Sequence, residues 1–170
     1  MKLNDDLEAK FNAQITLEFE ASLVYRQLAI EMDLADLPGM ATWLRRQADE
    51  EIVHANKFID HLDARGNHPK IGDVSAGEVA PSQDPKQTFK TALHHEQRVS
   101  ESIRELYRAC SEAGDIDSNQ LLNWFMSEQI EEEATVDEIV GRLEMTGDDG
   151  PGLLRLDAEL GKRPQSGTEN

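Results

Sequence analysis

The sequence predicts an all-α fold: a four-helix bundle of two antiparallel hairpins joined by a long crossover, with a short C-terminal fifth helix. Three observations carry that reading. Proline and glycine concentrate at few places, namely Pro38-Gly39, the stretch from Gly66 to Pro85, Gly114, the run Gly147 to Gly152, and the tail from Gly161. The segments between them, roughly 5–36, 38–65, 85–113 and 116–145, are rich in Ala, Leu, Glu, Gln, Arg and Met, which lose least on entering a helix. Each also carries a stripe at alternating steps of four and three residues, the period of one helix face.

Taken in order, the first helix presents Phe11, Ile15, Glu18, Ser22, Tyr25, Ala29 and Met32 along its stripe. Pro38 fits the first turn of the second helix, whose stripe is Leu44, Gln47, Glu51, His54, Phe58 and Leu62. Asp84-Pro85 reads as an N-cap and first-turn proline for the third, with Phe89, Ala92, Glu96, Val99, Ile103, Leu106 and Cys110. The fourth gives Leu122, Phe125, Gln129, Glu132, Val136, Ile139 and Leu143. The first and third connections are tight turns, which make helical hairpins, whereas the second has about twenty residues and can run the length of a bundle. Residues 1–145 therefore form the bundle, 146–162 a linker and short fifth helix, and 163–170 a disordered tail.

Composition excludes several classes of partner. The 170 residues carry 34 acidic against 17 basic side chains, a formal charge of -17. Binding nucleic acid or an anionic membrane surface needs a basic footprint, so neither is expected. At 38% hydrophobic residues the chain can still bury a core, which argues against disorder as the source of the acidity. Cys110 is the single cysteine, and no apolar run approaches a signal segment or a bilayer span, so a cytoplasmic protein is expected.

Each stripe contains one glutamate, and the spacing shows that the four are related. Glu18 to Glu51 and Glu96 to Gln129 are both 33 residues; Glu18 to His54 and Glu96 to Glu132 are both 36. In an antiparallel hairpin, residues equidistant from the turn share a height. The midpoint of 18 and 54 is 36, beside Pro38, and that of 96 and 132 is 114, the glycine of the second turn. Each pair thus lies about 27 Å from its turn, near mid-helix. Packing the hairpins about a pseudo-two-fold axis brings all four glutamates to one level.

Four buried carboxylates need compensation, at several kcal/mol for each uncompensated charge, and these stripes contain no lysine or arginine. Protons can supply it, and so can metal. Two divalent cations balance Glu18, Glu51, Glu96 and Glu132, with His54 adding one imidazole at i, i+3 from Glu51. Carboxylate-rich ligation with one nitrogen suits Fe(II) or Mn(II) better than a structural zinc site.

The runs Leu17-Glu18-Phe19-Glu20 with Tyr25, Asp49-Glu50-Glu51-Ile52-Val53-His54, Glu96-Gln97, and Trp124 to Glu133 resemble the bacterial non-haem ferritins, across all four helices. The resemblance implies the ferritin-like bundle and an iron-storage ferroxidase that oxidises Fe(II) with dioxygen or hydrogen peroxide inside a homo-oligomeric shell of 24 subunits. It implies a first iron on Glu18, Glu51 and His54, and a second held by Glu96 and Glu132 with Glu51 bridging. Gln129 matches a residue near the second metal, Tyr25 a tyrosine that hydrogen-bonds near the site and supplies an electron, and Glu50, Glu128 and Glu131 a third iron site. Two departures exclude the haem-binding relatives: Glu131 stands where they have a second helix-four histidine, and Ile52 where they have the haem methionine. No haem is therefore expected.

Other readings accompany these. A peroxide-scavenging di-metal protein without storage, or an acidic helical interaction module, would use the same bundle. Tyr25 can also be a packed residue with a satisfied hydroxyl, and Gln129 a polar neighbour rather than a ligand. His94 and His95 point away from the seam and read as surface residues, Glu133 as part of a solvated face, Trp43 and Trp124 as interface or core, and Cys110 as a small buried hydrophobe.

Overall fold

The computed structural model describes residues 1–77, 79–82 and 84–162. The tail from 163 lies outside the described residues. The elements are α1 (Asp5–Leu34), α2 (Pro38–Ala64), α3 (Pro85–Glu112), α4 (Asn119–Thr146) and α5 (Gly150–Leu160), with no strand among the described residues. None of these helices is long and apolar enough to cross a membrane.

Local chemistry sets the helix ends. Asn4 caps α1 by accepting from the Leu7 N–H at 2.9 Å, and Asp84 caps α3 by accepting from Lys86 at 3.0 Å, with Pro85 in the first turn. The α1–α2 turn passes through Asp36 at φ 58° and the α3–α4 turn through Gly114 at φ 71°. The fourth helix begins three residues later than the 116 expected. The reason is polar: Asp115 and Ser118 are drawn out of helical register by Arg65 at the end of α2, which donates to Asp115 Oδ1 at 2.7 Å and to Ser118 Oγ at 3.2 Å.

The crossover is anchored along α1. Asn12 Nδ2 donates to the His68 carbonyl at 3.1 Å, Lys70 N–H donates to Asn12 Oδ1 at 2.7 Å, Gly72 N–H to Thr16 Oγ1 at 2.9 Å, and Ser82 N–H to Glu31 Oε2 at 2.9 Å. From Asn12 to Glu31 is about 28 Å of helix, so the connection runs most of the bundle's length.

Every residue of the four predicted stripes is buried. The apolar ones form two clusters. One gathers Tyr25, Met32, Trp43, Leu44, Phe89 and Val136 with Leu156 and Leu160 of α5. The other gathers Phe11, Ile15, Phe58, Ile103, Leu106, Cys110 and Phe125. Between them, at the middle of all four helices, lies a polar level made by Glu18, Glu51, His54, Glu96, Gln129 and Glu132. The Phe58 and Phe125 rings stack 4.1 Å apart on one side of that level; on the other, Tyr25 packs edge to face on Trp43, which meets Phe89 at a tilt.

Two surface assignments are corrected. His95 is 5% exposed, because the buried face of α3 extends past the seam to Thr88, His95 and Ser100; His94 is exposed as expected. Glu133 is half-buried and accepts from Ser100 Oγ, since α3 packs close enough to reach past the stripe. Trp43 is core, and Trp124 is half-buried with Lys57 Nζ 4.4 Å over its ring.

Candidate metal centre

Glu18 sits at the middle of α1 and Glu51 at the middle of α2, one turn before His54. All three are buried, and one ligand atom from each lies within 4.8 Å of the others. His54 Nδ1 is 3.2 Å from Glu51 Oε2. The imidazole is held edge-on by Trp124 and Phe125, with ring centroids 5.8 and 5.5 Å away, so apolar walls restrict its rotation. Ser22 Oγ donates to the Ala48 carbonyl at 2.7 Å, fixing α1 against α2 at the same height.

The other hairpin supplies the second half. Glu96 is fully buried; its Oε1 accepts from the Tyr25 hydroxyl of α1, and its Oε2 from Gln129 Nε2 of α4 at 3.0 Å. Glu132 Oε2 accepts from Gln47 Nε2 of α2 at 2.8 Å. Gln129 is therefore a hydrogen-bonding neighbour of Glu96 in this structure. Glu96 and Glu132 stand outside the tight three-residue set, yet both act electrostatically on Glu51.

The electrostatics follow from burial. Loss of water, then the neighbouring Glu51 charge, raises Glu18 well above the ordinary carboxylate range. Glu51 is raised well above it by burial and by the charges of Glu96 and Glu132, and Glu96 is raised mainly by burial. Burial, followed by the charge of Glu96, also lifts the Tyr25 phenol well above its usual range, so its hydroxyl stays protonated and donates. No lysine or arginine is buried among the described residues.

One atom marks where a cation, proton or metal, would sit. Glu18 Oε2 is buried with no hydrogen-bond partner, although Oε1 accepts from Gln14 at 2.7 Å. An orphaned carboxylate oxygen beside a second carboxylate and an imidazole is an unfavourable apolar-core feature and a good cation ligand. The donor set of oxygens plus one nitrogen fits iron or manganese.

Residues 8–146 match the family model Ferritin, described as a ferritin-like domain. The chain is a member of the ferritin family. The bacterial non-heme ferritin of Escherichia coli O157:H7 is 34% identical over 158 residues, covering 93% of this chain and 95% of that one. The bacterial non-heme ferritin of Staphylococcus aureus strain MRSA252 is 32% identical over 161 residues, covering 95% and 96%. Among solved structures, a novel open pore ferritin from the archaeon Archaeoglobus fulgidus superposes with a TM-score of 0.91 at 32% identity, over 96% of this chain and 100% of that one. A closed form of that ferritin, engineered by mutagenesis, gives 0.92. This ferritin-family chain thus shares both the bundle and the fifth helix that the sequence predicts.

The remaining expected site residues are more dispersed. Glu50 and Glu128 are half-buried and Glu131 is exposed; none of them belongs to a close three-ligand set among the described residues. Glu50 nevertheless contributes charge at Glu51. Sequence reasoning missed Gln14, which is 1% exposed and touches Glu18 directly. Its signal was present in the spacing, since a residue four before Glu18 shares its helix face.

Proposed function

We propose that this protein oxidises Fe(II) at a two-iron centre within each subunit and stores the ferric product inside a homo-oligomeric shell of 24 subunits in the cytoplasm. The observation that carries the reading is the buried Glu18, Glu51 and His54 set with its orphaned carboxylate oxygen. Family membership supports it. Iron is here substrate and cargo: two Fe(II) release two electrons, which dioxygen accepts with two protons to give hydrogen peroxide, or hydrogen peroxide accepts with two protons to give water.

The chain's own residues divide the work. Glu18, Glu51 and His54 hold one ion; Glu96 and Glu132 hold the second, with Glu51 shared between them. Tyr25 donates to Glu96 and lies within reach of electron transfer from its phenol. Gln129 steadies Glu96 from α4. Glu50, Glu128 and Glu131 are the carboxylates we assign to a third ion, which would have to draw them together. Two apolar clusters on either side exclude water from the level.

The test combines assembly and chemistry. Size-exclusion chromatography should give a particle of about 24 times 19.1 kDa. Aerobic Fe(II) addition should produce ferric absorbance rapidly in the wild type and slowly in the double variant Glu51→Ala/His54→Ala. A monomer or dimer removes storage from the reading, and equal rates in both proteins remove the site.

A further inference from the structure

Behind the carboxylates stands a set of amides, each on a different oxygen. Gln47 Nε2 serves Glu132 Oε2 at 2.8 Å, Gln129 Nε2 serves Glu96 Oε2 at 3.0 Å, and Gln14 Nε2 serves Glu18 Oε1 at 2.7 Å. The other end of Gln14 is held as well. Ser102 Oγ, on α3, donates to Gln14 Oε1 at 2.6 Å. A directed chain therefore runs from Ser102 through Gln14 to Glu18, and the oxygen at its far end, Glu18 Oε2, is a buried atom without a hydrogen-bond partner.

We propose that Gln14, oriented by Ser102, is the positioning residue that presents Glu18 Oε2, together with Glu51 and His54, to a divalent cation. The proposal rests on the metal-site reading above. A glutamate's terminal torsion is broad and two-fold, so the side chain has little intrinsic preference for which oxygen faces which way. A donor on Oε1 removes that freedom. An amide, however, has a donor end and an acceptor end of similar shape, and only the donor end suits a carboxylate. The Glu18 carboxylate selects the Nε2 end, and the Ser102 hydroxyl, donating to Oε1, tethers the other end so that the amide is held against Glu18. Without that hydroxyl the Gln14 side chain loses its anchor on α3 and is free to swing away from Glu18, which releases the carboxylate's orientation.

A purely structural role, joining α1 to α3 by two buried hydrogen bonds, makes a different prediction: it changes apo stability and leaves metal affinity alone. The distinguishing experiment is anaerobic titration of the full-length protein with Fe(II), and separately Co(II), followed by calorimetry, alongside thermal unfolding without metal. Gln14→Met keeps length and removes the donor. It should weaken the tightest site about 10- to 100-fold, the range typical when a group supporting a metal ligand is lost. Ser102→Ala should weaken the same site, and Ser102→Thr, which keeps the hydroxyl, should restore it. Loss in Ser102→Ala with recovery in Ser102→Thr supports the proposal whatever happens to the unfolding temperature. Wild-type affinity in a folded Gln14→Met or Ser102→Ala protein overturns it. If Gln14→Met does not fold, the Ser102 pair decides alone. A wild-type protein that takes up neither metal overturns the site reading instead, so the two failures are distinct.

Discussion

Replacing Gly39 with alanine should release α5 from the bundle without unfolding it. Gly39 lies in the first turn of α2, where Leu37 offers no side-chain cap. The cap comes instead from α5: Asp157, 7% exposed, accepts from the Met40 N–H at 2.8 Å and sets a carboxylate at the positive end of α2. The approach is so close that a Cβ on residue 39 would stand 1.9 Å from the Asp157 carbonyl oxygen and 2.6 Å from its carbon. Ordinary contact begins at 3.4 Å, and the obstructing atoms are backbone, so no side-chain rotation relieves the clash. Helix α5 has to retreat by about 1.5 Å, which breaks the 2.8 Å cap and opens a gap beneath Leu156 and Leu160, now 2% and 8% exposed.

The cost has a ceiling, because α5 can detach. Loss of the cap is worth about 1–2 kcal/mol and each leucine side chain about 1.5–3 kcal/mol at most, opposed by the entropy the segment recovers. A net of about 3 kcal/mol raises local opening more than 100-fold. Hydrogen exchange read by mass spectrometry should therefore show peptides across 150–160 losing protection by that factor in Gly39→Ala, with α3 unchanged. Asp157→Ala, which removes only the cap, should give about a tenfold effect. Undiminished protection of α5 in Gly39→Ala would refute the reasoning, since the clash would then have been absorbed elsewhere.

Burial raises Glu18, Glu51 and Glu96, so between the ordinary carboxylate range and the raised values the folded metal-free protein binds more protons than the unfolded chain, and stability falls as pH rises. The apo melting temperature should decline as pH rises above the ordinary carboxylate range, and saturating divalent metal should flatten the slope; a rising apo curve contradicts the burial of this cluster. Glu96→Gln removes one charge from a self-repelling set while still accepting from Tyr25, so it should weaken the second metal more than it destabilises the apo fold; a sharp drop in apo melting temperature would sink this. Tyr25→Phe leaves Glu96 its bond from Gln129, so two-metal stoichiometry should persist while ferric absorbance develops more slowly; an unchanged rate would assign Tyr25 to packing alone.

The seams were legible because one number, the 3.6-residue period, orders a long helix, and four long helices give it time to speak. Equal spacings then placed Glu18 opposite His54 and Glu96 opposite Glu132 without any knowledge of side-chain rotamers. What period alone does not report is the flank. His95 is one step from Glu96 and is buried on the flank of the seam, two turns after the equally buried Thr88. Hydrogen-bond direction was equally out of reach: Gln47 lay in its predicted stripe, four residues from Glu51, yet its amide serves Glu132 across the bundle. The start of α4 depended on Arg65, some fifty residues earlier, and the fit of α5 on a missing Cβ at Gly39.

The height of the glutamate level explains why no helix end among the described residues neutralises it. Each of Glu18, Glu51, Glu96 and Glu132 lies near its helix midpoint, and a helix dipole acts only within the first and last turns. Helix ends, which make ready anion sites, are therefore about 16–20 Å along the helix from these carboxylates. The three amides and the Tyr25 hydroxyl donate hydrogen bonds, but they are neutral and cannot cancel charge. Only mobile cations remain, either protons or metal. Divalent ions must then displace protons from raised carboxyls, so uptake should release protons and strengthen as pH rises, in the same window where the empty fold weakens. The overall charge of -17 sets the sign of what the surface attracts, and the distance from every helix end makes a cation the condition for a settled core.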